Sequence, residues 1–278
     1  MTIAQNKQRL FCLTVVIAVL LSGIHSFAII IRHDQGYNAY QIRESEFPAV
    51  FYLAQEGNRK ICAATLIHPQ WAITAAHCVA ETNMHTSLAE HGGYGVTVAR
   101  QTNTIDLAVI HPDFILNSPT EVDLALLRFA EPLAQPGVLP LYSASDEQGR
   151  VVTLLGWGYF GLGTTGREYS DGNFRRAENR VDIAGRRLQI TFDDPRIVGS
   201  DVLELEGMPG LGDSGGPALV NGPEGSWLAG VAVGEVMEGD FSEEHQGNYG
   251  SIAVYERISR HTRWINHTIA TRTAMPID

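Results

Sequence analysis

The sequence predicts an all-β protein, folded as a sandwich or barrel of many short strands. After Ile29, short apolar or alternating runs are separated by Gly, Pro, Asn and Asp, which is the pattern of strands joined by turns. The regularly alternating helices that a parallel βα architecture requires do not occur in this pattern. Only Arg257–Thr271 has convincing helical spacing. The apolar residues of that segment are Ile258, Trp264, Ile265 and Ile269.

The predicted strands are short runs with turn-forming residues between most of them. They are Ala49–Leu53, Ala63–Ile67, Trp71–Thr74, Gly95–Ala99, Thr104–Ile110, Leu124–Phe129, Val151–Trp157, Leu188–Phe192, Pro217–Val220, Trp227–Val233 and Ser251–Tyr255. Two other stretches, the polar Gly161–Glu178 and the acidic Glu235–Gly250, are predicted to be long surface loops.

The composition is that of an ordinary folded chain with an acidic surface. Of its 278 residues, 44% are apolar and 18% are charged, which excludes general disorder and allows one large domain or two small ones. The net charge of −11 disfavours nucleic acids and anionic membrane surfaces as partners.

The N-terminus has the features of a secretory signal peptide. Lys7 and Arg9 precede the apolar run Leu10–Leu21, whose 12 residues are too few to span a bilayer comfortably. Cleavage after the small residue Ala28 makes residues 1–28 the signal peptide and residues 29–278 the mature domain, which begins with Ile29. We therefore expect a secreted or periplasmic protein without stable membrane association. An uncleaved membrane anchor is the alternative.

The use of cysteine fits an exported protein. Cys12 lies in the signal peptide, which leaves Cys62 and Cys78 as an even pair in the mature chain. A bridge between them closes a loop of about 17 residues and clamps the segment that carries His77. The alternative is a metal site at this pair, but no CxxC or HxxxH motif accompanies it, so no metal is expected.

Three short motifs contain the residue types of acyl-transfer chemistry. Gly212–Pro217 reads Gly-Asp-Ser-Gly-Gly-Pro and offers a serine hydroxyl at a sharp turn, where backbone N–H groups can face a developing oxyanion. Thr74–Cys78 offers an imidazole, which is the usual general base for such a hydroxyl. Asp123–Leu127 places a carboxylate at the head of an apolar run, where it can be buried behind the imidazole.

In this order, the histidine, aspartate and serine motifs resemble those of trypsin- and chymotrypsin-like serine proteases. Further segments that resemble the family are Trp71–Thr74, His111–Phe114, Leu155–Gly158, Tyr255 and Trp264. The resemblance extends over about residues 29–270. It implies two six-stranded antiparallel β-barrels with a C-terminal helix, and an active site in the cleft between the barrels. It also implies a serine endopeptidase that acts on proteins or peptides.

The resemblance assigns a role to each catalytic residue. Ser214 is the nucleophile, His77 is the general base, and Asp123 orients the imidazole and stabilises the imidazolium. The N–H groups of Gly212 and Ser214 form the oxyanion hole. Asp106 also heads an Asp-Leu-Ala run and is the alternative to Asp123. The family places its aspartate after the His-Pro-Asp-Phe segment, which favours Asp123.

In the family, the carboxylate before the nucleophile pairs with the α-amino group of the mature N-terminus. The corresponding pair here is Asp213 and Ile29. Family members usually begin Ile-Val-Gly-Gly after a cut at a basic residue, whereas this chain reads Ile-Ile-Ile-Arg and has no basic residue directly before it. We therefore expect signal cleavage itself to release the active enzyme.

The primary specificity pocket differs from that of enzymes that cut after Lys or Arg. In trypsin-like enzymes, the residue six before the serine lies at the base of this pocket, and here it is Met208. The expected walls are Val233, Gly234, Glu235 and Ala253. A methionine floor with small walls predicts apolar or aromatic residues before the scissile bond, although Glu235 could attract a basic group. The two cysteines that normally staple this pocket are missing.

Two other functions are open from the sequence. A catalytically inactive trypsin-like homologue would use the same fold to bind a partner, but all three triad positions are occupied. An α/β-hydrolase esterase also fits Gly-x-Ser-x-Gly, but the parallel βα units are missing. Its acid and histidine would be Asp240 and one of His245, His261 or His267. We expect a monomer without a cofactor. Asn266 begins a glycosylation sequon.

Overall fold

The computed structural model describes residues 29–115, 121–134, 137–236 and 246–273. The predicted signal peptide, most of the predicted acidic loop, and the esterase candidates Asp240 and His245 lie outside these residues. No helix in the described ranges is long and apolar enough to cross a bilayer.

Strands form most of the regular structure. In chain order they are β1 (Ile30–Ile31), β2 (Val50–Glu56), β3 (Arg59–His68), β4 (Trp71–Thr74), β5 (Tyr94–Val98), β6 (Gln101–Ile110), β7 (Ala125–Phe129), β8 (Val151–Gly156), β9 (Phe160–Leu162), β10 (Gly166–Tyr169), β11 (Arg175–Arg180), β12 (Ile183–Ala184), β13 (Arg187–Thr191), β14 (Gly207–Met208), β15 (Pro217–Gly222), β16 (Gly225–Val236) and β17 (Ile252–Arg257). The α-helices are α1 (Tyr37–Tyr40), α2 (Ala76–Glu81), α3 (Met84–His91) and α4 (Thr262–Arg272). Short 3-10 helices lie at Glu44–Glu46 and Ile258–Arg260.

The first barrel contains six antiparallel strands in the order β2-β3-β4-β7-β6-β5. Its end strands, β2 and β5, lie against each other, so the sheet curls to near closure. Inward side chains such as Phe51, Trp71 and Phe129 are buried and fill this barrel. The sequence predicts every strand of this barrel, because each is a short apolar or alternating run between turns.

The second barrel is an antiparallel sheet of seven strands, in the order β11-β8-β15-β16-β17-β13-β12. β11 also lies against β13, which brings the two ends of the sheet together. The double-barrel fold predicted from the sequence is therefore confirmed. The predicted count of six strands is one too few for this sheet, because Ile183–Ala184 pairs with β13 as an additional short strand.

A small third sheet joins the N-terminal segment to the second barrel, in the order β10-β9-β1-β14. β1 runs parallel to β9 and antiparallel to β14. Ile29, Ile30 and Ile31 are fully buried and belong to the core of the second barrel. The apolar run at the predicted mature N-terminus is therefore part of the fold.

The polar stretch Gly161–Glu178 was predicted as a surface loop, and this prediction is wrong, because most of the stretch lies in β9, β10 and β11. Two of the three inward positions of β11 carry polar side chains, and both side chains have hydrogen-bond partners. Arg175 is buried, and its guanidinium pairs with Asp171 at 2.8 Å. Asn179 is also buried and donates to two main-chain carbonyls. Satisfied polar groups can be buried, so composition alone misassigned the stretch.

The C-terminal helix packs against the first barrel. It was predicted at Arg257–Thr271 and is observed at Thr262–Arg272, because β17 and a 3-10 turn occupy the preceding residues. Trp71 Nε1–H on β4 donates to Thr273 Oγ1 at 2.9 Å. Arg128 on β7 donates to the Arg272 carbonyl at 2.9 Å. The helix that follows the last strand of the second barrel therefore ties the two barrels together.

Candidate active site

His77 lies in the short helix α2, directly after β4. A disulfide between Cys62 and Cys78 joins β3 to this helix, and the two Cα atoms are 5.9 Å apart. The small residues Ala75 and Ala76 are fully buried where the helix begins. The predicted bridge is therefore present, and it holds the backbone next to the imidazole.

Removing this bridge should lower stability. In the chain-entropy treatment, a loop of this length contributes about 3 kcal/mol. Replacing Cys62 and Cys78 together by serine is therefore expected to lower Tm by about 6–12 °C. Thermal unfolding followed by circular dichroism measures the change. An unchanged Tm in the double variant would contradict a stabilising role for the bridge.

Asp123 lies in the loop before β7 and is buried beside the imidazole. Its Oδ2 is 2.6 Å from His77 Nδ1, and its Oδ1 accepts the main-chain N–H of His77 at 2.9 Å. Because the carboxylate binds both the backbone and the ring of one residue, Nδ1 carries the proton and Nε2 is left to accept one. The alternative, Asp106, forms an ion pair with Arg128 at 2.9 Å instead.

The charges around His77 favour its protonated form. Burial alone lowers the pKa of His77. The hydrogen bond and charge of Asp123, followed by the charges of Glu81 and Glu121, outweigh burial and raise the pKa above its ordinary value. The ring is therefore a stronger base than an isolated buried histidine.

A general base must be neutral, so kcat/KM should increase as the pH rises through this raised pKa. Glu81→Gln removes one of the charges that raise it and should move the acid limb of the pH profile to lower pH. Glu90→Gln, which changes an exposed glutamate of α3, is the matched control. The pH dependence of kcat/KM is the measurement. An acid limb that stays in place or moves to higher pH in Glu81→Gln would contradict the role of this charge.

Ser214 lies on a tight turn between two glycines with left-handed backbone. The φ angles are +99° at Gly212 and +79° at Gly215, in the region that favours glycine. A Cβ atom at Gly215 would lie 2.1 Å from Ala63 O and 2.2 Å from Thr74 Oγ1. The Ser214 carbonyl accepts the Ala63 N–H at 2.7 Å. This close approach to β3 and β4 explains why the motif needs glycine next to the serine.

The N–H groups of Gly212 and Ser214 differ from their neighbours in hydrogen bonding. In the described part of the chain, neither donates to a protein acceptor. The intervening Asp213 N–H and the following Gly215 N–H both donate to main-chain carbonyls. The turn therefore leaves unused the two donors that the sequence assigns to an oxyanion hole.

His77, Asp123 and Ser214 line one cleft of about 370 Å³. The rest of its wall includes residues 209–211, residues 232–235, Gln246, and the carboxylates of Glu81 and Glu121. No hydrogen bond joins Ser214 Oγ to His77 Nε2 within the described residues. Such pairs often tighten only in the substrate complex. The cleft thus brings a hydroxyl and a base oriented by a carboxylate to one place, and Gly212 lies on the same turn as Ser214.

The residues predicted for the specificity pocket separate into two groups. Val233, Gly234 and Glu235 line the cleft. Met208 and Ala253 do not line it in the described chain, and both are fully buried in the second-barrel core. The second group lies too deep in the core to contact the cleft, and the sequence does not reveal this depth.

Three glutamates line the cleft in addition to Asp123. Glu235 accepts the Gly247 N–H at 2.8 Å, so its charge is partly engaged. Glu81 and Glu121 line the cleft as well, and sequence reasoning did not select them. Glu81 closely follows the histidine motif and Glu121 closely precedes the aspartate motif. That proximity was the only sequence signal for them.

Asp213 is fully buried next to the turn. Its carboxylate accepts the Gly158 N–H at 2.6 Å and the Gly210 N–H at 2.9 Å. Burial raises the pKa of Asp213 to about 7, although these hydrogen bonds and the charge of Arg175 oppose the rise. The carboxylate therefore joins the turn to the connection between β8 and β9, which contains Gly158.

The predicted ion pair between Asp213 and the Ile29 α-amino group requires a chain that begins at Ile29. Ile29 is fully buried, and the adjacent Ile30 pairs with Met208, five residues before Asp213. The predicted N-terminus and Met208 thus lie in the same core, and the loop that leads to Asp213 begins directly after Met208. The ion pair itself stays a prediction.

One trio of potential metal ligands occurs in the described ranges. The ligand atoms of Cys62, His77 and Cys78 lie within 4.8 Å of one another. Both sulfur atoms belong to the disulfide, so neither is the thiolate that binds a metal. The three ligand atoms are therefore close together because the disulfide holds α2 against β3.

Comparison with known proteins identifies the family. The family model described as Trypsin matches residues 35–265. The chain belongs to the trypsin family. Among relatives of this trypsin-family chain, tryptase of Mus musculus is 30% identical over 228 residues, which are 75% of this chain and 78% of that protein. An uncharacterized peptidase of Corynebacterium glutamicum (strain R) is 28% identical over 209 residues, which are 73% of this chain and 62% of that protein.

One relative is a much longer protein, of which this chain spans less than half. Ovochymase-2 of Mus musculus is 28% identical over 257 residues, which cover 83% of this chain but 40% of that protein.

The solved structure of neuropsin, a serine protease expressed in the limbic system of mouse brain, has a TM-score of 0.60 and 21% identity. The match covers 83% of this chain and 98% of neuropsin, and it shows that the two share a fold.

Proposed function

We propose that this trypsin-family protein is an exported serine endopeptidase. The observation that carries the proposal is the 2.6 Å contact between His77 Nδ1 and Asp123 in a cleft that also contains Ser214. This contact holds the ring in the tautomer that can accept the serine proton. The free N–H of Gly212 lies on the same turn as the serine.

In the proposed reaction, Ser214 Oγ bonds to the carbonyl carbon of a peptide while its proton passes to His77 Nε2. Asp123 stabilises the resulting imidazolium, and the N–H groups of Gly212 and Ser214 hold the oxyanion. The C–N bond then breaks as His77 gives the proton to the leaving amine, which leaves an acyl-enzyme. Water attacks the ester, with His77 again accepting a proton, and the released Ser214 regains its hydrogen.

The proposed substrates are proteins or peptides cut after an apolar or aromatic residue. Leu211, Ala232 and Val233 contribute apolar side chains to the cleft. Met208 stands where a carboxylate would select a basic residue in trypsin-like enzymes, and it is apolar and buried in the second-barrel core, outside the cleft wall. The Glu235 carboxylate is bound to the Gly247 N–H, which reduces its attraction for a basic side chain.

A peptide library tests both the activity and the preference. Cuts after Phe, Tyr, Leu or Met are expected with kcat/KM at least about tenfold above cuts after Lys or Arg. Glu235→Gln is the matched variant, and it is expected to leave this order unchanged. A preference for Lys or Arg that Glu235→Gln abolishes would contradict the apolar preference. Absence of any cleavage by the folded, processed protein would favour the binding-homologue alternative.

We also propose that the protein is a secreted or periplasmic monomer whose signal peptide ends at Ala28. The burial of Ile29 beside β14 supports a mature N-terminus at this point, because the adjoining chain is part of the core. Expression of the full chain in an exporting host, followed by N-terminal sequencing, checks the proposal. A mature terminus beyond Ile31 would contradict it.

A further inference from the structure

The loop that carries Asp123 is held by three side chains of the second barrel, one of which is Arg186, whose guanidinium donates to the Glu121 carbonyl. The Asp123 main-chain N–H donates to Glu256 Oε1 at 3.1 Å. The main-chain carbonyl of Glu121 accepts from Arg187 Nη2 at 3.3 Å. Glu256 lies on β17 and Arg187 lies on β13, whereas Asp123 and Glu121 lead into β7 of the first barrel. The loop is therefore anchored across the boundary between the barrels.

Arg187 and Glu256 form a single paired unit. They are directly opposite each other in the register of β13 and β17. Arg187 Nε donates to Glu256 Oε1 at 2.7 Å, and Nη2 lies 2.6 Å from the same oxygen. One carboxylate oxygen thus binds both the guanidinium and the Asp123 N–H. Charge-assisted bonds of this kind are stronger and more directional than neutral ones.

The Glu256 carboxylate is fully buried and remains a charged acceptor. The His261 ring lies 3.7 Å from its second oxygen. Burial alone favours the neutral acid, but His261, the Asp123 N–H and Arg187 outweigh burial and lower the pKa of Glu256. The acceptor that holds the Asp123 amide therefore keeps its charge near neutral pH.

We propose that the Arg187–Glu256 pair is a positioning unit that sets the Asp123 loop against His77. The proposal rests on the proposed peptidase function. His77 and Asp123 belong to the first barrel and Ser214 belongs to the second. Catalysis therefore requires that the two barrels keep a fixed relative position. Glu256 ties the Asp123 amide to the barrel that carries the nucleophile. A misplacement of about 1 Å can reduce the rate on the order of 100-fold.

The second barrel also contains a matched control for burial and charge. Glu147 is fully buried, and Arg257 Nη2 donates to it at 2.5 Å. The Ser259 hydroxyl donates to its other oxygen at 2.5 Å. Glu147 has no contact with Asp123 and does not line the cleft in the described residues. Replacing it removes a comparable glutamate–arginine pair without touching the catalytic loop.

Steady-state kinetics on a peptide substrate compares four variants. Glu256→Ala and Arg187→Gln are expected to lose about 10- to 100-fold in kcat, with KM changed by less than about twofold. Glu256→Gln keeps an oxygen acceptor for the Asp123 N–H and should retain most of the kcat. Glu147→Ala should keep the wild-type kcat when kcat is calculated per folded molecule. If Glu256→Ala fails to fold, Arg187→Gln, whose side chain is partly exposed, carries the comparison.

Proton NMR of the Nδ1–H between His77 and Asp123 provides a readout that needs no substrate. This strongly hydrogen-bonded proton should shift or broaden in Glu256→Ala and Arg187→Gln, and it should stay in place in Glu147→Ala. Wild-type kcat in both folded variants, an unmoved resonance, or an equal kcat loss in Glu147→Ala would overturn the positioning role. An inactive wild type whose resonance responds as expected would count against the proposed peptidase function alone.

Discussion

Replacing Ser214 by alanine is expected to lower kcat on a peptide substrate by about 10⁶-fold, with little change in KM. The hydroxyl supplies the oxygen that forms the acyl bond, and no neighbouring group on the turn can replace it. The oxyanion donors and the cleft remain, so a residual acceleration on the order of 10³–10⁴ over the uncatalysed reaction should persist. Steady-state kinetics on a peptide that the wild type cleaves measures the loss.

Ser226→Ala is the matched control for Ser214→Ala. Ser226 lies at the start of β16, and its hydroxyl donates to Asn221 outside the cleft. This variant should keep the wild-type kcat. If Ser214→Ala retained wild-type turnover, the peptidase mechanism proposed for this cleft would be wrong, and another residue would have to supply the nucleophile.

Asp123→Asn is expected to reduce kcat by about 10⁴-fold while the fold is retained. The asparagine amide can donate to His77 Nδ1, whereas the carboxylate can only accept from it. The ring would then carry its proton on Nε2 and could not accept the proton of Ser214. Measuring kcat and Tm of the same preparation separates this loss from unfolding.

Asp106→Asn distinguishes the two aspartates that head similar motifs. The Asp106 carboxylate binds Arg128 on the neighbouring strand, so its loss should affect stability and leave kcat close to the wild-type value. A kcat loss in Asp106→Asn that equals the loss in Asp123→Asn would contradict the role proposed for Asp123.

The sequence predicts the part of the site that depends on local motifs. The glycines around Ser214 and the residues around His77 are contiguous, so their chemistry can be read directly from the chain. Contacts set by tertiary register cannot be read in this way. Glu256 accepts the Asp123 N–H although the two residues are 133 positions apart in the sequence. Arg187 contacts Glu256 because the pairing of β13 with β17 places these two residues opposite each other. No periodicity in the sequence encodes that contact.

The same distinction applies to the fold. The first barrel is predicted strand by strand because its strands alternate or are wholly apolar. The sequence does not predict β11, because its inward positions include the polar residues Arg175 and Asn179. Arg175 pairs with Asp171, four residues before it, whereas Asn179 binds carbonyls 12 and 28 positions away. α2 contains only six residues, which is too few for a helical stripe to show in the sequence. The depth of Met208 likewise depends on its pairing with Ile30 in a sheet that no local pattern predicts.

Covalent labelling of the folded, processed protein with a phosphonylating reagent tests most directly whether His77, Asp123 and Ser214 act as one catalytic unit. Intact mass and peptide mapping should show a single adduct on Ser214, and His77→Ala should slow its formation by several orders of magnitude. No adduct in the folded protein, an adduct on another residue, or an adduct that forms equally fast in His77→Ala would contradict the proposed triad.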